Sequence, residues 1–147
     1  MKKIFFKASV AVALAVVIFA ACKKQETEIY STGGTAPVLT SSIQATDTLA
    51  LSAANANIVA GSFNWTNPNY QFSDGISSLP VTYIIYVDIA GDNFVHPAVL
   101  LDTSIGLGTA ITVQTLNSAL FNQLDLTPGT LYSMQIKIVS SIIKYTV

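Results

Sequence analysis

The sequence predicts an all-β sandwich of about seven strands with one short helix, preceded by a leader and a tether. From Ala36 onward the apolar residues recur mostly at every second position, which is the period of a strand with one buried face. Clusters of Gly, Pro, Asn and Asp cut that stretch into pieces of the length a sandwich uses. The 112 residues from Ala36 to Val147 carry only eight charges, and the whole chain has a single Cys. No internal disulfide is available, so burial has to hold the domain together.

Taken in chain order, Lys2, Lys3 and Lys7 make a positive start, and Ala8 to Ala21 is uncharged and nearly all apolar. As a helix that run is about 21 Å long, short of the ~30 Å hydrocarbon core of a bilayer, so it reads as a secretory signal rather than a permanent span. It ends Phe19-Ala20-Ala21-Cys22, small residues just before the only Cys. This resembles the lipobox of bacterial lipoproteins, with Phe19 where that motif most often has Leu. The resemblance implies cleavage after Ala21 and acylation of Cys22 as residue one of the mature protein. The alternative is a soluble-secretion signal that leaves Cys22 a free thiol. Once residues 1–21 are removed, four lysines face eight acids, a net charge of -4. Residues 22–35 are polar and contain Thr32-Gly33-Gly34-Thr35, so they are expected to form a lipidated, flexible tether. Glu26 and Glu28 loosely resemble the acidic signal that sends some lipoproteins to the cell surface, diluted here by Lys23 and Lys24.

The expected strands of the body, residues 36–147, begin with the short pieces Pro37 to Thr40 and Thr48 to Ser52. Val59 to Thr66 then places Phe63 and Trp65 on one face, and Val81 to Ile89 does the same with Tyr83, Ile85, Val87 and Ile89. Val99 to Asp102 is a further short candidate, Thr109 to Thr115 alternates through Ile111 and Val113, and Thr130 to Ser140 aligns Tyr132, Met134, Ile136 and Ile138. The expected core is drawn from these inward faces. One helical turn and a half is expected after a cap at Asn117 or Ser118, with Leu120, Phe121 and Leu124 on one side. Leu126-Thr127-Pro128-Gly129-Thr130-Leu131-Tyr132 resembles the tyrosine corner of fibronectin type III and related sandwiches, in which the hydroxyl bonds back to the preceding turn. The fold expected is therefore an immunoglobulin or fibronectin III-like sandwich.

Little catalytic chemistry is on offer. The chain has no Arg and a net charge of -1, which argues against a nucleic-acid partner. His96, the only imidazole, stands at no recognisable triad or zinc spacing from Asp92 or Asp102. Asp88 to Asp92 lacks the alternating oxygens of a calcium loop, because Ile89 and Ala90 fill the gap. No enzyme, metal or cofactor is expected. Among the aromatics, Trp65 and Tyr83 are assigned inward, which leaves Tyr70, Phe72 and Tyr86 as the residues that could contact a glycan.

The lipobox, the tether, Ala36-Pro37-Val38-Leu39, Phe63-Asn64-Trp65, Val81-Thr82-Tyr83 through Asp88, Phe94-x-x-Pro97 and the Leu-x-Pro-Gly corner together resemble the N-terminal region of the SusE family. These are starch-utilisation outer-membrane lipoproteins of Bacteroidetes. The resemblance implies an immunoglobulin-like module next to the membrane, held there through an acyl anchor at Cys22, beside other outer-membrane glycan-uptake proteins and exposed at the cell surface. It also implies that starch is bound by later domains, absent from this chain. The family pattern continues with one more strand after the corner strand. Here Ser141 to Val147 follows directly, so that strand is either missing or replaced by this tail. The function expected is a non-enzymatic, membrane-proximal spacer of a glycan-binding and uptake system. The alternative is a complete small lipoprotein that docks to another outer-membrane protein.

Overall fold

The computed structural model describes residues 29–75 and 79–142. The expected signal peptide, Cys22, the first part of the tether and the end of the tail that begins at Ser141 lie outside them. Eight strands and one helix follow in order: β1 (Ser31–Gly33), β2 (Leu39–Ser41), β3 (Val59–Trp65), β4 (Gln71–Phe72), β5 (Val81–Ile89), β6 (Ala98–Ser104), β7 (Gly108–Thr112), α1 (Val113–Asn122) and β8 (Met134–Ile142). Sheets β2-β3-β7 and β6-β5-β8 are antiparallel, and β1 pairs with β4 as a separate ribbon. The molecule is an all-β sandwich, as its apolar spacing requires.

The alternation of β3 is what joins the two sheets. Gly61, Phe63 and Trp65 face inward and are buried, while Ser62 and Asn64 face outward. Trp65 meets Tyr83 of the other sheet at 5.5 Å between ring centroids. Around this pair, Phe63, Ile85, Val87, Leu100, Ile111 and Leu116 form one continuous core. Gly61 leaves room for Ile43: a Cβ there would fall 2.5 Å from the end of the Ile43 side chain, which would have to shift.

β5 runs as expected from Val81 to Ile89, but several other expectations are corrected. Thr48 to Ser52 is not a strand: Ser52 Oγ accepts from the Ala54 N–H at 3.2 Å and caps a 3₁₀ turn at Ala53–Asn55. That local bond competes with a sheet ladder for the backbone. The strand expected from Thr109 to Thr115 stops at Thr112, whose Oγ1 accepts from the Thr115 N–H at 3.2 Å. The helix therefore starts at Val113, earlier than a cap at Asn117 or Ser118 would allow, and is ten residues long. Starting there turns Val113, Leu116 and Ala119 onto the buried face and leaves Phe121 52% exposed. The ribbon was not legible, because strands of two and three residues carry no alternation, and β1 falls inside the segment expected to be tether.

The strand expected from Thr130 begins instead at Met134, and the corner precedes it. There the Tyr132 hydroxyl accepts from the Thr127 N–H at 3.3 Å, five residues back, as a tyrosine corner does. Tyr132, Met134, Ile136 and Ile138 are half-buried rather than fully in the core. Among the described residues the strand sits at the edge of its sheet, with β5 on one side only.

The sandwich has two distinct ends. At the tether end, Thr35 N–H donates to the Pro68 carbonyl at 2.8 Å and Thr66 N–H to the Val38 carbonyl at 3.2 Å, close to Trp65. Ile142 pairs with Val81 at this same end. At the far end lie α1, the tip of β5 at Ile89 and the start of β8, where Ala90 N–H donates to the Ser133 carbonyl at 2.8 Å.

Candidate functional site

The three aromatics singled out from the sequence do not converge. Tyr70 lies at the tether end, where Asn67 Oδ1 accepts from the Asn69 N–H at 2.8 Å and shapes the turn that delivers it. Its hydroxyl is 2.7 Å from Ser140 Oγ and 3.4 Å from the Ser140 carbonyl oxygen, on β8. Its ring lies so close under Gly34 (φ +151°) that a Cβ there would come within 2.8 Å. Phe72 follows on β4, half-buried and paired with Ser31. Tyr86 is on the outer face of β5, opposite Lys137 of β8. Ser140 and Lys137 are three residues apart, which places them on opposite faces and about 10 Å apart along the strand. Tyr70 and Tyr86 therefore cannot form one stacking platform.

The Tyr86 ring is also occupied. The Lys137 ammonium stands 5.5 Å from the Tyr86 ring centroid and 4.2 Å from that of Phe94, so it is held between two aromatic faces. Phe94 reaches it from the loop after β5, where Asn93 and Phe94 both have φ of 55°. A left-handed backbone is unfavourable for a bulky side chain such as Phe. Inside the sandwich, Trp65 Nε1 and the Tyr83 hydroxyl are buried with no hydrogen-bond partner among the described residues. Burial, with a smaller contribution from nearby Tyr70, pushes the Tyr83 hydroxyl above its ordinary range.

At the far end, a cavity of about 370 Å³ opens between the tip of β5, the loop after it and the C-terminal end of α1. Asp88, Asp92 and His96 line it together with Ile89, Val95, Gln123 and Leu124. Gln123 is already committed: its Oε1 accepts from the Val99 N–H at 2.8 Å and its Nε2 donates to the Val99 carbonyl at 3.3 Å, closing the outer edge of β6. Asp88 Oδ1 accepts from the Ile89 N–H at 2.8 Å, while Oδ2 has no partner among the described residues. His96 and Asp92 are exposed at the mouth. Among the described residues no three His, Cys, Asp or Glu side chains converge as a metal site would need.

Asp88, Asp92 and His96 carry no site signal one at a time in the sequence, and the fold gathers them. The signal in the sequence is Asp88, an acid within a nine-residue apolar strand. Compared with models of known families, residues 23–139 match the one described as SusE outer membrane protein. No curated protein and no solved structure matches the chain.

Proposed function

The chain belongs to the SusE outer membrane protein family, and from that premise we propose that it is a non-enzymatic surface module of a starch-binding and uptake system, anchored through lipid at Cys22. In this reading the sandwich is the membrane-proximal spacer and glycan is held by other domains. The observation that carries it is the commitment of the aromatic side chains. The Tyr70 hydroxyl is tied to β8, Tyr86 lies beneath the Lys137 ammonium, and Trp65 and Tyr83 are core. A sugar site needs free ring faces framed by polar groups, and these rings are otherwise engaged.

Electrostatics support the placement. The described residues carry six aspartates against one lysine, Lys137, whose charge is held between two rings. Such a body is repelled by an anionic membrane surface, which favours standing off it on a tether. The anchor is tested by metabolic labelling with palmitate. The native chain is expected to take up label and fractionate with the outer membrane, and Cys22→Ala to lose both. Label retained in that variant contradicts the anchor.

A second reading, docking to another outer-membrane protein, is favoured by the edge of β8. Because the Ser133 carbonyl faces β5, the alternate residues Met134, Ile136 and Ile138 turn their N–H and C=O groups away from it. That edge pairs with no strand among the described residues, and the β5 to β8 register runs through nine pairs without a bulge. Long, regular edges of this kind accept strands from partners. Ile136→Pro removes an outward N–H and spares the β5 ladder. It is expected to abolish copurification with an outer-membrane partner under this reading and to change nothing under the spacer reading.

A further inference from the structure

The geometry points to the far-end cavity as a socket for the basic side chain of a protein partner, an arginine or a lysine. Asp88 is 2% exposed, yet one oxygen of its carboxylate has no hydrogen-bond partner among the described residues. Burying a carboxylate oxygen in this way is costly unless a donor meets it, and a cationic donor meets it best. Lys137, the one lysine among the described residues, does not supply that donor, because it is held between Tyr86 and Phe94.

The lining suits the two parts of a long basic side chain. Ile89, Val95 and Leu124 offer apolar wall to a methylene stem, and Asp88 and Asp92 offer carboxylate to its head. The volume, about 370 Å³, is far larger than a bare ion needs. A metal is disfavoured by the lack of three converging ligands among the described residues, and a neutral sugar by a lining that contains no aromatic face. The position also suits a partner, since Asp88 lies five residues along β5 from Tyr83 and the tether end, about 17 Å away. The inference does not depend on the spacer reading, and it gives the far end a contact of its own.

The test is a titration of the isotopically labelled chain with Nα-acetyl-arginine amide and Nα-acetyl-lysine amide, followed by amide resonances. Nα-acetyl-norleucine amide and calcium chloride serve as separate arms. Saturable shifts are expected for Ile89, Asp92, His96 and Leu124 with the two basic probes and not with norleucine. Asp88→Asn is expected to weaken binding about tenfold or more, the scale of one charge-assisted hydrogen bond. If that variant fails to fold, Asp92→Lys at the exposed mouth puts a competing ammonium in the socket and is expected to weaken binding similarly. Shifts that do not saturate, equal shifts with norleucine, a response to calcium alone, or unchanged binding in a folded variant would each overturn the proposal.

Discussion

At the tether end Trp65, Pro68, Tyr70 and Tyr83 are packed into the sandwich or tied to β8, and Trp65 Nε1 and the Tyr83 hydroxyl, without partners among the described residues, sit inside the core. At the far end a buried carboxylate stands in the wall of an open cavity, beside a loop held in a left-handed conformation by Asn93 and Phe94. The aromatic-rich end, where a stacking site would be sought first, spends its rings on stability. The far end keeps unmet polar capacity in a cavity whose lining holds no Phe, Tyr or Trp, and that is where the proposed recognition acts.

That contrast can be broken most forcefully at the core. Trp65→Ala is expected to cost about 3 to 5 kcal/mol in denaturant unfolding, a large share of a domain's stability. An unchanged midpoint would mean the tether end is not the packed half. Tyr132→Phe removes the hydroxyl that accepts from the Thr127 N–H and is expected to cost about 1 kcal/mol. Lys137→Met, which removes the charge and keeps the stem, is expected to cost about 0.5 to 1 kcal/mol, the worth of an exposed cation held on ring faces.

The smallest effect at neutral pH is expected at Tyr83. Its hydroxyl has no partner among the described residues, so Tyr83→Phe is close to neutral there. Its raised ionisation gives the sign at alkaline pH. The folded state favours the neutral phenol, so the contribution is fully present below the ordinary tyrosine range near 10 and is lost as pH rises through the higher folded value. Denaturant midpoints measured across that window should fall in the native protein and fall less in Tyr83→Phe. Parallel curves would assign the alkaline loss elsewhere.

The fold was legible wherever one strand face is fully buried. Phe63 and Trp65 on β3, and Tyr83, Ile85 and Val87 on β5, show the inward face at every second position, although Thr82 and Asp88 on the other face of β5 are buried too. Legibility failed where a side-chain oxygen outcompetes the ladder, as Thr112 does in starting α1 and Ser52 does in the preceding loop. It also failed for burial at β8, since alternation tells which face is inward but not that the strand is at an edge. The candidate site was less accessible still. That Lys137 covers Tyr86, and that Asp88, His96 and Leu124 meet around one cavity, are products of long-range pairing across separate segments. No spacing in the sequence encodes them.

The central claim is that this module does not itself hold the glycan. The direct measurement is electrophoresis of the processed chain, made soluble by Cys22→Ala, through gels containing amylopectin alongside a control protein. Calorimetry with malto-oligosaccharides follows on the same sample. The account predicts no retardation and no binding heat. Specific retardation that disappears in Tyr70→Ala, Phe72→Ala or Tyr86→Ala would contradict it and move glycan capture into this sandwich.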